Sequence, residues 1–128
     1  MAFVWAPSVQ KDATQYYPGD SYIDWIGVDG YDRKRHGTTA FSDVFSSFYQ
    51  QWSVHAKPIM VAETGAMGAD QAAYLQGIQT DLPSQFPNIK AVVYFDAGGS
   101  AGDWSLAGNG VTAFKNLVGS SYFITGVK

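Results

Sequence analysis

Three features of this sequence predict an α/β fold built on a parallel sheet. Four short apolar runs are continuous rather than alternating: Phe3-Val4-Trp5-Ala6, Trp25-Ile26-Gly27-Val28, Pro58-Ile59-Met60-Val61-Ala62 and Ala91-Val92-Val93-Tyr94-Phe95. That pattern is expected of strands buried on both faces. Stretches of helical period separate the later runs. Each run also stops abruptly, at Pro7-Ser8, Asp29-Gly30-Tyr31, Glu63-Thr64-Gly65 and Asp96-Ala97-Gly98-Gly99.

Taken in order, the first strand begins directly after Met1, which suggests a chain cut from a longer one. Residues 10–23 hold at most a single helical turn, with Pro18-Gly19 as a breaker. After the second strand, Phe41, Val44, Phe45, Phe48, Tyr49 and Trp52 recur at spacings of three and four, one apolar stripe of an amphipathic helix. Ser42 or Thr39 is placed to cap its start. A second helix is expected over 69–82, with Ala73, Leu75 and Ile78 on its buried face and Pro83 as its stop. A third covers 111–118, with Val111, Phe114, Leu117 and Val118 inward and Gly119 at its end. Residues 1–128 read as one domain, without linker, repeat or low-complexity segment. Strands alternating with helices predict βαβ units. Four such units suit either an open four-stranded parallel sheet or half of an eight-stranded barrel.

Composition narrows the function. Apolar residues make up 46 % of the chain, aromatic residues 16 % and charged residues 15 %. Charge is thus below the roughly 25 % of an average domain, and disorder is disfavoured. The net charge of -3 and the lack of a long basic block leave no electrostatic footprint for nucleic acid. Arg33-Lys34-Arg35-His36 is a short cluster, read as a solvated loop. With no cysteine there is no disulfide framework and no thiolate metal site. No apolar run approaches the ~20 residues of a membrane span, and residues 1–10 do not read as a signal peptide. His36 and His55 are too isolated for a metal pair. The glycines at 98–99 and 108–110 lack the lysine and the strong helix of a phosphate loop. No metal and no cofactor are expected. Phe41, Phe45, Phe48 and Trp52 read as core, and Trp25 as packing.

In a parallel barrel the chemistry lies at the C-terminal ends of the strands. That rule singles out Trp5, Asp29, Tyr31, Glu63 and Asp96. Glu63 is the sharpest, being the only glutamate in the chain. A carboxylate at the mouth of a buried strand and followed by Thr64-Gly65 suits attack on an anomeric carbon or support of an oxocarbenium ion. The plainer reading is a residue that caps the next helix or meets a lysine.

Tyr16-Tyr17-Pro18-Gly19-Asp20, followed by Tyr22-Ile23-Asp24-Trp25-Ile26-Gly27-Val28-Asp29-Gly30-Tyr31, resembles glycoside hydrolase family 26. Lys57-Pro58-Ile59-Met60-Val61-Ala62-Glu63-Thr64-Gly65 is similar to that family's nucleophile strand. Residues 89–96 and Asp103-Trp104 resemble its last strand and the loop beyond. The resemblance implies the C-terminal half of a (β/α)8 TIM barrel and a retaining hydrolase of β-linked polysaccharide, β-1,4-mannan first, from a secreted parent. It implies Glu63 as nucleophile, Tyr31 as its hydrogen-bonding neighbour and Trp104 as an aromatic lining the sugar site. Trp5, Asp29 and Asp96 are expected to contact substrate, and Asp20 to form a turn rather than act in catalysis. The family's acid/base, a glutamate at the end of the fourth strand, has no counterpart here. Only Asp29, Asp96 and Asp103 offer a second carboxyl group. The chain is then a half of something longer, or recruits a partner, or is a non-catalytic carbohydrate-binding module. Open sheet edges and an unsealed apolar face further predict a two-fold homodimer.

Overall fold

In the computed structural model, residues 1–33, 40–100 and 102–123 are described. Four parallel strands form one sheet in the order β1 (Val4–Trp5), β2 (Trp25–Tyr31), β3 (Ile59–Gly65), β4 (Ile89–Tyr94). The order runs straight along the chain without reversal, so the sheet is singly wound. That is the half-barrel arrangement and not a doubly wound sheet. Helices α1 (Phe41–Trp52), α2 (Gln71–Gln85) and α3 (Asn109–Val118) follow the second, third and fourth strands.

One face of the sheet carries the core. Ile26 and Val28 of β2, Ile59 and Val61 of β3 and Ile89 of β4 pack with Phe41, Phe45, Tyr74, Leu75, Ile78, Leu82, Ala113 and Leu117 of the helices. Each such aliphatic side chain contributes about 1.5–3 kcal/mol through burial. Gly30 is required by the same packing, since a Cβ there would stand 2.8 Å from both Phe45 and Val44. The other face departs from the expectation of strands buried on both sides. By alternation it carries Val4, Trp25, Met60, Ala62, Ala91 and Val93. Val4 and Val93 are 41 % and 49 % exposed and the others only half-buried. The continuous apolar runs therefore describe a sheet with one covered and one bare face.

Several element boundaries need correction. Phe3 and Ala6 lie outside β1, whereas β2 and β3 run three residues further than their apolar runs, through the polar residues that bear the chemistry. Residues 10–23 hold two short 3-10 turns, Thr14–Tyr16 and Asp20–Tyr22, on either side of Pro18-Gly19. Ala40 occupies the N-cap position of α1, with its N–H donating to Asp43 Oδ2 at 3.2 Å. Ser42 is inside that helix, and Thr39 lies outside the described residues. Pro83 does not stop α2, which continues to Gln85. Pro83 is exposed in the final turn, and Gln79, whose carbonyl it cannot serve, is an exposed residue too. Ala73 is exposed, and Gln71, Tyr74 and Leu82 join Leu75 and Ile78 on the buried face. In α3, Val118 points outward at 40 % exposure, and Gly119 does end the helix.

At the N-terminal end of the sheet the Tyr-Pro-Gly-Asp segment forms a clamp. Asp20 accepts hydrogen bonds from the Tyr17 hydroxyl and from His55 Nδ1, the latter at 2.9 Å. The His55 ring stacks on Trp52, with centroids 5.2 Å apart, and Trp52 meets Trp5 edge-on at 4.7 Å. Gly19, at φ 99°, supplies the left-handed backbone that this turn needs. The expected turn-forming role of Asp20 is thus also a link between two elements.

Candidate active site

The strand ends bring Tyr31, Asp29 and Glu63 together. In regular parallel pairing, Val28 against Val61 would put Asp29 opposite Ala62. A register shift instead makes Asp29 the partner of Glu63. This bulge adds one residue to β3 and turns Glu63 to the same side as Asp29. Thr64, the next residue, then faces the helices and is fully buried, with Oγ1 2.7 Å from the Tyr74 hydroxyl.

The Tyr31 hydroxyl donates to Glu63 Oε2 at 2.5 Å. Burial foremost, then this bond and the negative charge of Glu63, push the Tyr31 pKa well above the usual phenol range. Tyr31 is therefore a fixed donor at any working pH. Burial, and then Glu63, also raise the carboxyl of Asp29 above 3.8. Ser8, Val9, Gln10, Asp29, Gly30, Tyr31, Arg33 and Glu63 line a cavity of about 220 Å³. The segment after β1 is pinned beside it: the Asp29 N–H donates to the Pro7 carbonyl and the Val9 N–H to the Asp29 carbonyl, both at 2.9 Å.

The remaining predicted residues are placed differently. Trp104 stands next to Tyr31, with ring centroids 5.0 Å apart, but is only 6 % exposed, so it is packed behind the tyrosine. Trp5 lies among Tyr17 and Trp52, away from Glu63. Asp96 accepts from the Leu106 N–H at 2.7 Å, and Asp103 from the Ser105 N–H at 3.0 Å. Both aspartates are occupied in shaping the loop after β4. Of the three that could supply a second carboxyl group, only Asp29 is at the site.

Sequence reasoning missed Arg33, whose guanidinium lies 5.6 Å from the Tyr31 ring centroid and lines the same cavity. Its signal was available, two residues beyond a strand-end tyrosine, but the neighbouring basic residues disguised it as solvated loop. Lys34, Arg35 and His36 lie outside the described residues. Ser8 was visible as a strand-end residue but carried no chemical signal of its own. Among the described residues no group of His, Asp and Glu could hold a metal ion, and no helix is long and apolar enough to cross a membrane.

Known proteins are similar to this chain over most of its length. The chain is 27 % identical over 117 residues to Endoglucanase H of Acetivibrio thermocellus, covering 82 % of this chain and 13 % of that protein. It is 33 % identical over 89 residues to a Mannan endo-1,4-beta-mannosidase of Bacillus subtilis, covering 65 % and 22 %. A Mannan endo-1,4-beta-mannosidase of Bacillus subtilis strain 168 is 29 % identical over 115 residues, covering 85 % and 27 %. The chain therefore spans about a quarter or less of the length of these relatives. The model of Glycosyl hydrolase family 26 matches residues 1–124, and with a singly wound sheet that carries Tyr31 and Glu63 at its strand ends, this chain belongs to that family.

Proposed function

We propose that this chain carries the nucleophile half of a retaining glycoside hydrolase acting on β-linked polysaccharide, with β-1,4-mannan as the first substrate. The observation that carries the reading is the Tyr31–Glu63 hydrogen bond at a strand end, over a polar cavity. Glu63 attacks the anomeric carbon as the glycosidic bond breaks, and a general acid protonates the leaving oxygen. Water then hydrolyses the glycosyl ester, giving its proton back to the same group. Tyr31 holds the carboxylate in line, and Trp104 backs Tyr31. Asp29 is the neighbour that keeps the pocket acidic and binds sugar hydroxyls. It stands on the strand next to Glu63, whereas the acid/base must face the nucleophile across the scissile bond at about 5–5.5 Å between carboxyl groups. That group is supplied from outside these residues.

Release of reducing ends from galactomannan, glucomannan, lichenan and β-1,3-xylan tests the substrate. Proton NMR of the first product tests retention. In the full-length protein, Glu63→Gln should lower turnover by about 10³-fold or more with little change in melting temperature. Full activity of Glu63→Ala on the best substrate would sink the assignment. Binding to mannan without any turnover would favour a carbohydrate-binding module instead.

The bare sheet face and the free edges of β1 and β4 also need cover. Expressed alone, residues 1–128 should self-associate through them as a two-fold dimer. Sedimentation at micromolar concentration reads this directly, and a well-folded monomer would refute it.

A further inference from the structure

The loop between β4 and α3 brings Trp104 to the mouth of the site, yet it has little packing of its own. Its antiparallel pair, β5 (Gly98–Gly99) and β6 (Gly102–Asp103), is two residues long on each side, and Gly98, Gly99, Ser100 and Asp103 are exposed. The indole N–H of Trp104 is buried without a hydrogen-bond partner among the described residues. No polar contact at the ring therefore orients it. Space is left for it by Gly65 and Gly102, where an added Cβ would come within 2.9 Å of the indole.

The backbone on either side of Trp104 is held by one buried amide. Gln71, the first residue of α2, is 2 % exposed. Its Nε2 donates to the Ser105 carbonyl at 2.8 Å and stands 3.5 Å from the Trp104 carbonyl. Its Oε1 accepts from the Ala107 N–H at 3.2 Å. The Tyr94 hydroxyl lies 3.0 Å from the same Trp104 carbonyl. On its far side Gln71 meets Gly110, where a Cβ would fall 2.3 Å from Oε1. Only an amide fits this set: a carboxylate has no donor, an ammonium no acceptor, and an apolar side chain leaves the Ser105 carbonyl and the Ala107 N–H without the bonds that Gln71 gives them.

We infer that Gln71 is a positioning residue for the reaction. By fixing the backbone at Trp104, Ser105 and Ala107, it sets the Trp104 ring against Tyr31 and, through the Tyr31 hydroxyl, the attacking angle of Glu63. The inference rests on the reading of Glu63 as nucleophile, but the position of Trp104 can be followed without any turnover.

The experiment uses the full-length protein labelled with 5-fluorotryptophan, the Trp104 fluorine resonance being assigned by Trp104→Phe. Gln71→Met keeps the length and burial of the side chain and removes all its hydrogen bonds. It should shift or broaden the Trp104 resonance while leaving those of Trp5, Trp25 and Trp52 in place. It should also lower kcat/KM by about tenfold to a hundredfold, with the larger share in kcat. Gln71→Glu should behave alike at neutral pH. On acidification its carboxyl gains a proton and with it a donor toward the Ser105 carbonyl, and the Trp104 resonance should return toward the wild-type position. An unmoved Trp104 resonance in Gln71→Met, with only a lower melting temperature, would reduce Gln71 to core packing and overturn the inference. If Gln71→Met fails to fold, lack of acid rescue in Gln71→Glu overturns it equally. A displaced resonance in a protein whose wild type hydrolyses no glycan would uphold the clamp and sink the hydrolase reading instead.

Discussion

The two ends of the sheet use the same side chains to opposite effect. At the N-terminal end, Asp20 is satisfied by Tyr17 and His55, and its carboxyl is held below the usual range, first by the Tyr17 bond and then by His55. At the C-terminal end, Asp29 is placed beside a second carboxylate, and burial and repulsion raise its pKa. A tyrosine hydroxyl reaches a carboxylate in both places. At the base the pair joins a turn to the end of α1. At the mouth it holds a carboxylate that is exposed to a cavity. The base is arranged to lower the energy of the fold, whereas the mouth carries a local electrostatic cost.

Exchanging the tyrosines sharpens this contrast most. Tyr31→Phe should lower kcat/KM by about tenfold to a hundredfold, the worth of a hydrogen bond to a charged group, with little loss of melting temperature. Tyr17→Phe should do the reverse, lowering the melting temperature and leaving kcat unchanged. Matched effects of the two variants on both readouts would break the comparison.

The aspartates provide the smaller effect, read as stability against pH. Asp20 has a lowered folded pKa, so its contribution is present above the ordinary carboxylate range and is lost as pH falls through its folded value. Asp29 has a raised folded pKa, so the fold favours its protonated form, and the penalty grows as pH rises from 3.8 toward the folded value. Asp29→Asn should therefore raise the melting temperature by a few degrees at neutral pH and have no effect near pH 3. Asp20→Asn should lower it at neutral pH, with the difference vanishing in acid. Melting curves at both pH values check the pair, and a fall for Asp29→Asn at pH 7 would contradict the assigned strain.

What could be read from the sequence follows from what sequence patterns encode. Apolar runs located all four strands, because burial against helices demands Ile26, Val28, Ile59 and Val61. Polar run-ends singled out Glu63, Asp29 and Tyr31, which the strand ends bring side by side. The bare face was legible only through the half-barrel reading and not from the runs themselves, since a residue waiting for cover is as apolar as one already covered. Gln71 was not legible, because its partners are backbone groups more than thirty residues away and leave no mark in side-chain spacing. Pro83 misled because α2 carries it in its last turn, on an exposed side of the helix. The packing of Trp5 against Tyr17 and Trp52 was not legible, because a strand-end rule cannot say toward which side a ring turns.

The extra residue in β3 has a consequence for how such a site can change over time. Asp29 and Glu63 share a side because β3 bulges at Ala62, between Val61 and Glu63. Removing Ala62 would restore even pairing and leave Glu63 opposite Asp29, whereas closing the bulge with Ala62 kept would pair Asp29 with Ala62 and turn Glu63 toward the helices, with every side chain beyond it exchanging sides. The carboxyl pair therefore depends on where the strand bulges, and a site of this kind can lose one residue of strand at Ala62 without losing its geometry.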